Sequence, residues 1–182
     1  MKYASVYVTA GVVALAVLWG GGCSPSERTV AVDAGRPGPM LLSVVGQPVI
    51  AAASMSIAQL KPELSAGDVV TIEGKVMGAK EPFVDGRAAM LVGDESVIVS
   101  CDLMGDESHC STPWDVCCER AENLRAGTVL VQVTDAEGQV VKEGLRGVKG
   151  LKELSRIRVR GTVGDVSDGG QVTINAEAIQ LL

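Results

Sequence analysis

The chain has 182 residues, 16 basic against 22 acidic side chains, and a formal charge of −6, which excludes long-range attraction to phosphate backbones or anionic head groups. Its aromatics are sparse: Tyr3, Tyr7 and Trp19 precede Cys23, leaving Phe83 and Trp114 for everything after it. A core must therefore be built from Val, Leu, Ile, Ala and Met, which favours a small, tightly curved β-structure.

Residues 1–22 read as a secretory signal peptide. Lys2 gives a positive start, VVALAVLW at 12–19 is a short apolar run, and Gly20, Gly21 and Gly22 lead into Cys23. The small residues directly before a cysteine resemble bacterial lipoprotein signals, although Gly20 stands where such signals usually carry Leu. The resemblance implies that Cys23 is lipidated and becomes the first mature residue. Ser24 follows it, rather than the Asp that marks inner-membrane retention in many such proteins, so a periplasm-facing, outer-membrane address is expected. The alternative is an uncleaved N-terminal anchor, against which the run is short for a span of about 20 residues.

Residues 23–66 form the lipidated start, a tether and an approach segment. SPSERTVAVDAGRPGP has no sustained period and reads as a flexible stalk. Residues 40–58 are apolar but broken by Gly46 and Pro48, which suits a strand pair or a peptide packed on the outside of the next unit. IAQLKPEL at 57–64 reads as one helical turn stopped at Pro62.

From residue 67 onward the pattern is β. In DVVTIEGKV, Val70, Ile72, Gly74 and Val76 share one face, and Thr71, Glu73 and Lys75 the other. RIRVRGTV repeats the motif with Ile157, Val159, Gly161 and Val163 inward and Arg156, Arg158 and Arg160 outward. An inward glycine lets a strand bend and another backbone approach, as the corners of a small closed barrel require. RAAMLVG at 87–93, VIVSC at 97–101 and TVLVQVT at 128–134 are further strands, the last leading into a polar DAEGQ turn. Leu145, Val148, Leu151 and Leu154 predict one short helix closing the barrel bottom, weakened by Gly147 and Gly150. The final strand, 171–182, changes phase between Ala176 and Ile179, as a bulge would make it do.

Three strands, a short helix and two strands is the order of the OB-fold, a five-stranded Greek-key barrel. VVTIEGKV, FVDGRAAMLVGD, and LSRIRVRGTV ahead of INAEAIQLL resemble the first, second, fourth and fifth strands of exported bacterial OB-fold proteins. TPWDVCCE resembles a segment of uncharacterised exported, lipid-anchored members. The expected fold is thus all-β with one short helix, an OB-fold-like barrel over 67–182 with a cysteine-rich insertion at 101–118.

That insertion holds Cys101, Cys110, Cys117 and Cys118, together with His109. In an exported chain the four cysteines are expected to form two disulfides, each contributing about 2–4 kcal/mol. A bond between adjacent Cys117 and Cys118 strains the peptide, leaving two connectivities. Trp114 would cover a disulfide face. A second reading makes Cys101, His109, Cys110, Cys117 and Cys118 ligands for zinc or copper, against which the paired C-x2-C knuckles are missing. A third, a redox dithiol at Cys117 and Cys118, lacks the C-x-x-C spacing. Asp102, Asp106, Glu107 and Asp115 read as solvated loop acids.

Nucleic-acid binding would need a basic groove and stacking aromatics. Arg156, Arg158 and Arg160 form a stripe, but cross-strand pairing with Glu73 accounts for it. One histidine, no GxSxG, no HExxH and no P-loop argue against an enzyme. GDVSDGG at 164–170 is a hairpin turn. The expectation is a non-enzymatic envelope lipoprotein without a cofactor, anchored in the membrane through Cys23, whose barrel binds a protein, peptide or glycan. The alternative is a metal-binding or thiol-redox lipoprotein using the cysteine cluster.

Overall fold

A computed structural model describes residues 36–49, 55–104 and 110–182, all within the compact unit Gly35–Leu182. The expected signal peptide, Cys23, the segment read as a stalk before residue 36, and His109 lie outside the described residues.

Five strands close into a barrel: β1 (Val69–Val76), β2 (Ala89–Gly93), β3 (Thr128–Gln132), β4 (Arg156–Val166) and β5 (Val172–Leu181). The order around the barrel is β1-β2-β3-β5-β4, with β4 returning to pair with β1. Every pairing is antiparallel except β3 with β5. This is the five-stranded, OB-like arrangement that the alternation predicts. The inward sets are buried as expected, including Val70, Ile72 and Val76 of β1 and Ile157, Val159 and Val163 of β4.

The two inward glycines are there for close approach. A Cβ on Gly161 would run into the carbonyl oxygen of Asn175, and one on Gly74 would meet Val92 at 2.6 Å and the Gly93 carbonyl at 2.8 Å. Gly161 adjoins a register shift: Arg160 pairs with Ala178 but Gly161 with Ala176, so Glu177 is the extra residue of a bulge. That bulge produces the phase change read in the last strand.

Three expectations are corrected. The segment 97–101 is not a strand. The Asp94 carboxylate accepts hydrogen bonds from the Ser96 amide at 2.9 Å and the Ser96 hydroxyl at 2.7 Å. The Val97 and Ile98 amides turn back to the Asp94 carbonyl, so the chain leaves the sheet although Ile98 and Ser100 remain buried. The predicted bottom helix is a single 3-10 turn at Val148–Gly150, because Gly147, Lys149 and Gly150 all take positive φ. Leu145, Val148 and Leu151 still reach the core. Finally, Pro62 does not stop the helical turn: α2 (Ile57–Leu60) runs on into a 3-10 turn, Lys61–Glu63.

The approach segment packs on the barrel. Helix α1 (Pro39–Val44) begins at a proline, whose fixed φ suits a first helical position. It lies against β5 and the 3-10 turn at 148–150, and Leu41 and Val45 join Leu145, Val148 and Leu151 in the core. The closing job expected of one helix between β3 and β4 is shared between that turn and α1.

Candidate functional site

Two features stand out on this scaffold: the long connection between β2 and β3, which carries the cysteines, and a groove beside it.

The connection is closed at its base by the Asp94 amide donating to the Gly127 carbonyl at 2.8 Å. Its Ile98 and Val116 are buried together with Met77 of the loop after β1, and Val97, Trp114 and Leu124 pack against them. This small core is separate from that of the barrel. Trp114 is tied to the loop after β1, its indole N–H donating to the Lys80 carbonyl at 2.9 Å while its own carbonyl accepts from the Gly78 amide. The insertion also folds over the outer face of β1. Lys75, on the strand's polar face, is only 5 % exposed because its ammonium donates to Ser100 Oγ at 2.9 Å and to both Asp102 carboxylate oxygens, at 2.9 and 3.2 Å. Burial works to raise the Asp102 pKa, but the hydrogen bonds from Ser100 and Lys75 and the Lys75 charge outweigh it and hold the carboxyl below its ordinary range.

The cysteines are brought together. Cys101 is buried, and its amide donates to the Pro113 carbonyl at 3.0 Å. Burial first, then Cys110, pushes the Cys101 thiol up to about 11, and the charges of Cys118 and Cys117 add to the rise. Cys117 and Cys118 are exposed, with their sulfurs 4.0 Å apart. All four stand as thiols in this structure. Among the described residues, no group of three or more His, Cys, Asp or Glu is placed to hold a metal ion, and the fifth candidate ligand, His109, lies outside them.

The arginine stripe is paired. Arg158 stands opposite Glu73 in the register and its Nε donates to that carboxylate at 2.7 Å. Arg156 binds Glu95 at 2.7 Å, and Arg160 lies 3.7 Å from Glu177. A strand face whose cations are matched by carboxylates offers little to a phosphate chain.

The groove lies where α2, α3 (Ala121–Gly127) and the β4–β5 hairpin meet. It has a volume of about 350 Å³, with walls that include Pro62, Ala126, Val166 and Val172, and Glu122 and Arg125 among its charged residues. Lys61 also lines it, its ammonium donating to the Arg125 carbonyl at 2.5 Å and the Thr128 carbonyl at 2.7 Å. It thereby satisfies carbonyls at the C-terminal end of α3, as cations commonly do there. Burial lowers the Lys61 pKa from its ordinary value. Sequence reasoning missed Lys61, Lys75 and Asp94. Each looked like an ordinary surface charge, and each is recruited by backbone or side chains distant along the chain, such as the Ala58 amide that donates to Asp94 at 2.9 Å.

No helix among the described residues is long and apolar enough to cross a membrane. No protein-family model and no curated protein sequence matches the chain.

Proposed function

We propose that this protein is a non-enzymatic envelope lipoprotein, tethered through Cys23, whose barrel binds a peptide segment of a partner protein in the groove between α2, α3 and the β4–β5 hairpin. The groove is the observation that carries the reading. Its volume falls within the range of built ligand sites, about 300–1,000 Å³. It also sits at the β4–β5 loop, which OB-folds use for ligands.

The lining chooses among the candidate ligands. Sugars and bases are held largely by stacking on aromatic faces. The aromatics after Cys23 are Phe83, which is buried, and Trp114, whose indole is tied to Lys80. Ala126, Pro62, Val166 and Val172 instead suit an aliphatic side chain, with Arg125 and Glu122 at hand for the peptide's polar atoms. The paired arginine stripe weighs against oligonucleotides.

A displayed random-peptide library panned on the purified protein tests this. Enriched peptides should share an aliphatic anchor and lose binding to Ala126→Trp, which fills the groove from an exposed position. They should bind Val99→Ser, which alters an exposed residue outside the groove, as well as wild type. Enrichment that survives Ala126→Trp, or saturable binding of oligosaccharides in place of peptides, overturns the reading.

A further inference from the structure

The four sulfurs divide by depth. Cys101 is buried and Cys110 half-buried beside it, whereas Cys117 and Cys118 are exposed neighbours. The latter occupy the two central positions of a turn closed by the Glu119 amide donating to the Val116 carbonyl at 2.9 Å. We propose that Cys101 and Cys110 form the structural disulfide of the insertion, and that Cys117 and Cys118 are an exposed pair that exchanges with the disulfide of a partner. This goes beyond the peptide-binding reading and stands independently of it.

The turn itself supports the division. Val116, immediately before the pair, has φ 51°, a left-handed conformation that a β-branched residue rarely adopts. It is held there because its side chain is packed with Met77 and Ile98. The two thiols are thus presented outward from an anchored support. Their sulfurs are 4.0 Å apart and must close to about 2.05 Å to bond. Joining them makes an adjacent-residue bridge that is both exposed and strained, and such bridges are the readily exchanged ones, whereas buried, unstrained bridges resist reduction. The nearness of the two thiols also shows in Cys117, whose pKa is raised by the hydrogen bond and charge of Cys118.

The chemistry balances without a metal. One thiol of the pair loses its proton, and the thiolate attacks a sulfur of the incoming disulfide. That S–S bond breaks, the departing thiolate takes up a proton, and a mixed disulfide remains. The adjacent thiol then attacks the protein-side sulfur and expels the second thiolate, which is protonated in turn. The pair has given up two electrons and two protons, and the incoming disulfide has become two thiols.

The test uses the full chain, purified without reductant. Brief exposure to limiting dithiothreitol, then alkylation and peptide mapping, should label Cys117 and Cys118 at least about tenfold faster than Cys101 and Cys110, which stay joined until the chain is unfolded. Reacted with glutathione disulfide after that limited reduction, wild type should release two equivalents of glutathione and retain none. Cys118→Ser should stop at the mixed disulfide, carrying one glutathione on Cys117. A mapped bridge between Cys101 or Cys110 and Cys117 or Cys118, equal labelling of all four, or failure of wild type to release glutathione would each overturn the assignment.

Discussion

The barrel and its insertion are stabilised in different ways. The barrel buries one continuous aliphatic cluster drawn from all five strands, α1 and the 148–150 turn. Among the described residues, the insertion's separate hydrophobic cluster has just three buried members, Met77, Ile98 and Val116, one of them borrowed from the loop after β1, and a buried lysine and a tied indole fasten it to its surroundings. A segment with so small a core opens locally at much lower cost than the barrel. Chemistry that needs accessible thiols therefore sits on the less stable part, with the rigid part as its support.

The largest effect should come from the barrel's tightest point. Gly161→Val places a branched side chain against the backbone at Asn175, where no flexible neighbour can give way. The expected cost is about 3 kcal/mol or more, measured as a lowered urea midpoint. Ile174→Ala, in the same core, should cost about 2–5 kcal/mol. The matching deletion in the insertion, Ile98→Ala, should change global stability less while accelerating hydrogen exchange between 94 and 127. Equal losses at both sites would dissolve the distinction between the two regions.

How much of this was legible follows from the same contrast. Alternation with inward glycines is a local pattern, so β1, β4 and the β5 bulge could be read from neighbouring residues. Segment 97–101 alternates equally well, yet the turn at Asp94 takes it out of the sheet, a choice made by hydrogen bonds to Ser96 and Ala58. The bottom helix failed for a different reason: the spacing of three placed Leu145, Val148 and Leu151 in the core, though not Leu154, but the glycines between them adopt φ values that no α-helix contains. At the candidate site the cysteines were visible, while the groove was not. Its walls come from α2, α3 and the β4–β5 hairpin, which only the closed barrel brings together.

The next effect concerns the latch between the two regions. Asp102→Ala leaves the Lys75 ammonium buried with Ser100 and a more distant Glu95, 4.0 Å away. Lys75→Met removes the charge that needs a partner. Asp102→Ala should therefore cost about 1–3 kcal/mol and Lys75→Met less, and the double variant should recover part of the loss. Acid should act on the same pair. The folded pKa of Asp102 lies below its ordinary value of 3.8, so its contribution is complete above that value and is lost as pH falls through the folded pKa. Wild type should lose stability more steeply than Asp102→Asn below about pH 4, as acid titrations of urea midpoints would show.

The smallest effect lies on the barrel's outer face and separates pairing from mere proximity. Arg158 and Glu73 are direct cross-strand neighbours, with side chains 24 % and 32 % exposed. A double-mutant cycle to alanine should give a coupling of about 0.5–1 kcal/mol, declining as salt is raised. Arg160 and Glu177 are more than half exposed and 3.7 Å apart, with Glu177 set on the bulge, where strand pairing no longer fixes its position. Their cycle should give no measurable coupling. Were the second pair to couple as strongly as the first, the stripe would be acting as one charge network. Single arginine replacements would then shift the affinity of an acidic partner, in place of the local stability change expected from register-matched pairs.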